Sequence, residues 1–126
     1  YSFLKGIRIE KPGFNNKIEQ KIPLNFTDFG FVKIINLPSN IPDGSTIVFN
    51  QAFEKNWKAY YIKETNFLTK YFSFIFGQEI KEHVLVNNWA NGWKVEGGLV
   101  TIIFWPQYLE FLGFGLLILA FVLILL

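Results

Sequence analysis

The chain has 126 residues, enough for one domain with a sizeable core. Its 12 basic and 10 acidic residues leave a net charge of +2, a balance that argues against nucleic acid or another polyanion as partner. With no cysteine it has no disulfide frame, no thiolate metal site and no thiol nucleophile.

Methionine is absent as well, and the chain ends inside an apolar run at Leu126. Both features are expected of a piece of a longer protein. Arg8 is the only arginine, and Lys, Asn, Ile, Phe and Tyr are plentiful. These are residues of AT-rich codons, so the 19% aromatic content is weak evidence of binding.

Residues 1–105 read as short β-runs broken by turn residues. "FLKGIRIE" (3–10) alternates loosely and runs into "KPGFNN" (11–16), a turn carrying Pro12. "KIEQKIPLNF" (17–26) and "FGFVKIINL" (29–37) follow as strands separated by Thr27 and Asp28. "LPSNIPDG" (37–44) is a loop. "STIVFNQAF" (45–53) and "NWKAYYIK" (56–63) are strands, and "FEKN" between them reads as a hairpin loop.

"NFLTKYFSFIFGQ" (66–78) departs from the β pattern. Helical spacing puts Leu68, Phe72 and Ile75 on one side, with Tyr71 and Phe76 close by. Such a helix either covers one end of a sandwich or touches a bilayer or neighbouring membrane helices. "HVLVNNW" (83–89) and "LVTIIFW" (99–105) complete the strands, with a turn at Gly97-Gly98. Strands without long periodic helices imply an all-β sandwich or jelly roll over residues 1–105.

The final segment, 106–126, reads as a transmembrane helix. From Phe111 onward no side chain is charged or hydrogen-bonding. These roughly 16 residues span about 24 Å at about 1.5 Å each, against about 30 Å for a bilayer core. Pro106 suits a first helical turn, and Trp105 and Tyr108 suit the aromatic belt at headgroup level. The run is apolar all round, unlike a surface helix of a soluble protein. Charge does not orient it, because the positive-inside rule counts short loops and the preceding domain has about 105 residues.

Catalytic chemistry is not evident. There is one histidine, His83, so neither a His cluster nor a Ser/His/Asp arrangement is expected. Asp28, Asp43, Glu54, Glu79 and Glu96 are scattered, and no phosphate-binding glycine loop occurs. No metal site, no catalytic residue and no cofactor are expected in this segment.

Three pieces in order carry a family resemblance: "VFNQAFEKNWKAYYI", "HVLVNNWANGWKV" and "VTIIFWPQYLEFLGFGLLILAFVLIL". Together, over roughly residues 46–126, they resemble the C-terminal region of bacterial YfhO-like proteins. They also resemble related GT-C-type polytopic membrane glycosyltransferases, including arabinofuranosyltransferase-like members. Those proteins often carry Pro-Gly before the tryptophan of the first piece, where Lys55-Asn56 stands here. The resemblance implies an extracytoplasmic β-sandwich and last membrane helix in the bacterial cytoplasmic membrane. The catalytic acid of that family lies in an early loop of the membrane core, outside this piece. This segment would then be a non-catalytic accessory domain of a polyprenyl-phosphate-sugar-dependent enzyme. Its partners would be the lipid bilayer, its own upstream membrane helices, and a glycan or lipid-linked sugar.

The aromatic and amide-rich stretch admits two roles. Gln51, Trp57, Asn87, Asn88, Trp89, Asn91 and Trp93 could line a carbohydrate platform, with sugar C–H faces on the rings and hydroxyls on the amides. Alternatively, the tryptophans are core packing and the asparagines hold a bent backbone at a turn or bulge between Asn87 and Gly92. A structural or assembly β-domain with no ligand is the rival from another class.

Overall fold

The structure, a computed structural model, describes residues 6–12, 18–39, 41–42 and 44–126. One antiparallel sheet is built from β1 (Ile7–Pro12), β2 (Ile18–Leu24), β5 (Thr46–Ala52), β8 (His83–Val86) and β9 (Ala90–Lys94), in the order β2-β1-β5-β9-β8. A second is built from β3 (Phe26–Asp28), β4 (Val32–Leu37), β6 (Trp57–Ile62), β7 (Gln78–Glu79) and β10 (Gly98–Phe104), in the order β3-β4-β10-β6-β7. Two short helices, α1 (Phe67–Tyr71) and α2 (Ser73–Phe76), join β6 to β7, and α3 (Trp105–Leu125) ends the chain.

Period-two alternation decides what each face carries. Ile7 and Ile9, Ile47 and Phe49, and Trp93 and Val95 point inward from the first sheet. Ile35 and Leu37, Trp57 and Ala59, and Val100 and Ile102 meet them from the second, and together they form one buried cluster. This is the core of a β-sandwich. Arg8, between Ile7 and Ile9, lies on the opposite face of the first sheet. It is buried there and donates from Nε and Nη2 to Glu10 Oε1 at 3.0 and 2.8 Å, and from Nη1 to Asn50 Oδ1.

The outer face of the second sheet is covered too. Val32, Ile34, Tyr60 and Ile103 pack there against Phe29, Phe31, Tyr71, Phe74 and Tyr108. The α1–α2 pair therefore lies as a flap on this face. Asn66 starts it with a capping box: its Oδ1 accepts from Thr69 N at 3.0 Å, and Thr69 Oγ1 accepts from Asn66 N at 2.9 Å.

Four expectations change. "FEKN" is not a hairpin, since β5 and β6 belong to different sheets and the segment crosses the sandwich edge. Phe49 and Trp57 both point inward, 4.8 Å apart and edge-to-face. Thr27 and Asp28 do not separate strands but pair with Ile34 and Lys33 of β4. Ala90–Lys94, expected to be irregular as far as Gly92, is a strand between β5 and β8. The 66–78 segment is two helices broken at Phe72 (φ −122°, ψ 38°), and it covers a sheet face instead of a sandwich end. The sheet takes Tyr71 and Phe74, while Leu68, Ile75 and Phe76 face outward. The turn expected at 11–16 falls largely outside the described residues.

The 21 residues of α3 make a rod of about 31 Å. It is the one helix among the described residues long and apolar enough to cross a membrane. It continues β10, a central strand, with no linker between them.

Candidate functional site at the helix-bearing end

β10 delivers Phe104 and Trp105 to one end of the sandwich, and three connections gather there. The first is the β3–β4 loop. Lys33 points into it from β4 and donates to Asp28 Oδ1 at 2.7 Å and Gly30 O at 2.6 Å. That bond is the main reason the Asp28 carboxyl is held below the usual carboxylate range. The second is the β5–β6 crossover at 53–56. The third is the β8–β9 turn, where Asn87 (φ 52°) and Asn88 (φ 63°) take positive φ and Trp89 N donates to Val86 O. Two successive residues at positive φ are what a type I′ turn requires, and asparagine tolerates them better than most residues.

Asn91 ties two of these connections together from inside. It is 0% exposed. Its Nδ2 donates to the carbonyls of Gln51 (3.1 Å) and Ala52 (3.2 Å). Its Oδ1 accepts from Glu54 N at 3.2 Å and lies 2.9 Å from His83 Nε2. With both Nδ2 hydrogens on carbonyls, Oδ1 is the acceptor and His83 carries its proton on Nε2. The imidazole is stacked between Trp93 (4.6 Å) and Phe53 (4.7 Å). Burial pushes the His83 pKa below the ordinary imidazole value, with the Asn91 bond opposing it.

The residues of the supposed carbohydrate platform therefore separate into two groups. Trp93 is 1% and Trp57 9% exposed, and with Asn91 they are interior residues that present no ring or amide to solvent. Gln51, Asn87, Asn88 and Trp89 are at the surface, and Trp89 is 48% exposed. It is held through its backbone, since its carbonyl accepts from Phe53 N. The reason for the split is register. Trp93 pairs with Ile47 and His83 on the inward face, whereas Trp89 falls in the turn.

Trp105 and Tyr108 lie on the first turn of α3 and fasten it to the domain. Trp105 N donates to Asn56 O at 3.0 Å, and Phe104 N to Phe31 O at 3.0 Å. The Tyr108 hydroxyl donates to the Tyr71 carbonyl of the flap. The rings follow: Trp105 on Phe74 (4.8 Å), and Tyr108 edge-on to Phe31 (5.3 Å) and Phe74 (5.1 Å). Between flap and helix runs a cleft of about 460 Å³ lined by Phe31, Phe67, Phe72, Tyr108, Phe111 and Leu112. Sequence reasoning gave Phe31 and Phe53 no role at this end and placed Tyr71 only beside the expected helical face; the topology brings all three together here.

The opposite end holds an open, mixed-charge groove among Tyr61, Gln78, Lys81, Glu82, Lys94 and Glu96. Among the described residues no group of three or more His, Asp or Glu could hold a metal ion.

Fold and site thus define a class: a two-sheet antiparallel β-sandwich whose central strand continues into an apolar helix of membrane-spanning length. No family model, curated protein or solved structure matches the chain.

Proposed function

We propose that this chain is a membrane-anchored, non-catalytic accessory domain that holds a fixed position over the bilayer. In this reading it stands on the extracytoplasmic side of the bacterial cytoplasmic membrane, at the C-terminal end of a polytopic protein. That protein resembles the GT-C-type glycosyltransferases, which transfer sugar from polyprenyl-phosphate donors during envelope glycan assembly. The domain's task is to position an acceptor or cap the catalytic cavity of its own membrane helices.

The observation that carries this is the junction. A central strand becomes α3 without a linker, and backbone bonds from Phe104 and Trp105 tie the joint to Phe31 and Asn56. A tethered domain with an independent task needs no such joint. A domain whose angle over the membrane matters does. The jelly-roll type is supported by β10 lying between β4 and β6, a late strand inserted between earlier ones.

A short Gly/Ser insert between Phe104 and Trp105 of the intact protein tests the role. Sugar transfer from a polyprenyl-phosphate donor should fall strongly in membranes while the domain stays folded. Undiminished transfer would sink it. The side of the membrane is tested separately, with a cysteine at exposed Glu96 and an impermeant maleimide on whole cells. Labelling is expected, and protection until lysis would reverse the orientation.

A ligand-free structural or assembly domain is the second reading. Burial of Trp57 and Trp93 favours it over a three-tryptophan glycan platform and leaves Gln51, Asn87, Asn88 and Trp89 as the surface such a platform would have to use.

A further inference from the structure

The flap exposes apolar surface that nothing in the sandwich needs. Phe67 is 68% and Phe76 54% exposed, and Leu68 and Ile75 are exposed beside them. Four large apolar side chains within ten residues form the kind of patch that marks an interaction site. The flap does not need them for folding, because Tyr71 and Phe74 already cover the sheet.

Where the patch lies decides what covers it. Phe67 and Phe72 share their cleft with Phe111 and Leu112 of α3. Those two residues open the uninterrupted apolar run after Glu110. If α3 spans a bilayer, Phe111 and Leu112 stand where headgroups give way to hydrocarbon, and Phe67 and Phe72 stand at the same depth. Tyr108, one turn earlier, and Trp105, about two turns earlier, sit at the level aromatic belts occupy. On the same helix as Phe67, the Lys70 ammonium lies 4.2 Å from the Phe29 ring centroid, a cation at headgroup height where anionic lipid attracts it. An apolar cleft at that depth excludes water and matches acyl chains.

We propose that the α1–α2 flap is a second membrane contact. It seats in the leaflet next to the domain, and phospholipid acyl chains fill the cleft between Phe67 and Phe111. The sandwich is then held at two points, the span and the flap, which fixes its rotation as well as its tilt. This rests on the reading of α3 as a membrane span.

Because the chain has no cysteine, single-cysteine spin labels test it directly. A label at Phe67→Cys is compared with Leu112→Cys in the span and Lys94→Cys at the far end, in phosphatidylcholine/phosphatidylglycerol vesicles. The readout is relative accessibility to oxygen and to a water-soluble nickel complex. Position 67 should favour oxygen several-fold over position 94, approaching 112. A nickel-accessible label at 67, with 112 still in lipid, would overturn the flap contact and leave the span intact. Protection from both reagents would mean that protein covers the patch, a second copy or other membrane helices, and would also overturn it. A nickel-accessible label at 112 would sink the span itself. All labelled positions except 94 carry exposed apolar side chains, so the fold tolerates them, and circular dichroism checks that it does.

Discussion

Asn91 and His83 lie diagonally across the neighbouring strands β9 and β8, joined by a 2.9 Å hydrogen bond from Nε2 to Oδ1. The same amide holds three backbone groups: the Gln51 and Ala52 carbonyls at the end of β5 and the Glu54 N–H of the crossover. Asn91→Ala removes the shared partner of all of them; Asn91 itself is fully buried, while the groups it bonds are part-buried. A buried polar group left unpaired costs about 1–3 kcal/mol, and water reaches some of these groups, so the variant should lose about 1–3 kcal/mol. Denaturant unfolding in detergent checks this, and a loss under about 1 kcal/mol would show that the crossover is held by other means.

The histidine makes stability depend on pH. Its folded pKa lies below the ordinary imidazole value of about 6.5, so the unfolded chain binds the proton more tightly. Stability is therefore full above about pH 6.5. It is lost as pH falls from there through the folded pKa, and levels off below that value. Unfolding midpoints measured from pH 8 down to pH 5 should fall in the parent and stay flatter in His83→Gln. Equal slopes would assign the dependence to other groups.

The two tryptophans of "NNWANGW" should behave oppositely. Trp93→Ala empties a fully buried site stacked on His83 and should cost about 3–5 kcal/mol. Trp89→Ala removes a half-exposed ring whose position is set by backbone bonds, and should stay within about 1 kcal/mol of the parent. Thermal unfolding of both distinguishes them. A Trp89→Ala variant with intact folding is also the one to test against glycans, where reduced binding would support a carbohydrate surface.

This contrast explains what was legible in the sequence. Strands β5, β6 and β10 are dense in β-branched and aromatic residues and announce themselves, as does α3. Strand β9 does not, because Asn91 and Gly92 look like turn residues. Its glycine is there for a tertiary reason. A Cβ at Gly92 would lie 2.4 Å from Val86 Cγ2 and 3.2 Å from both Val84 and Thr46 methyls, contacts no local pattern encodes. The flap misled for a similar cause. Spacing put Leu68, Phe72 and Ile75 on one helical face, but the sheet selected Tyr71 and Phe74, and the helix broke between them. Whether four residues after β5 make a hairpin or a crossover depends on which strand β6 pairs with, and that partner, β10, lies some forty residues further on.

Tyr108→Phe should loosen the flap without unfolding the sandwich. The lost hydroxyl is the donor to the Tyr71 carbonyl, while the ring contacts to Phe31 and Phe74 remain. A single bond of this kind contributes about 1 kcal/mol. Amide exchange across 66–77 should quicken severalfold, with β5, β9 and β10 unchanged. Uniform acceleration would mean that Tyr108 supports the whole domain.

One substitution should stabilise the protein. Thr101 lies on the outer face of the second sheet, paired with Ile34 on one side and Tyr60 on the other. It is 0% exposed beneath the flap layer. Its hydroxyl has no hydrogen-bond partner among the described residues, and neither has that of Ser73 at the start of α2. A buried hydroxyl without a partner forfeits its bonds to water and receives nothing in return. Valine has nearly the same shape and an equal preference for strands, so Thr101→Val should raise stability by about 1 kcal/mol. Thr69→Val is the control of opposite sign. It deletes the capping-box hydroxyl that accepts from Asn66 N and should cost about 1 kcal/mol. Unfolding midpoints of the pair, measured side by side in detergent, decide the matter. A lowered midpoint for Thr101→Val would mean that its hydroxyl is satisfied in solution, and that the interface between sheet and flap is wet at that point.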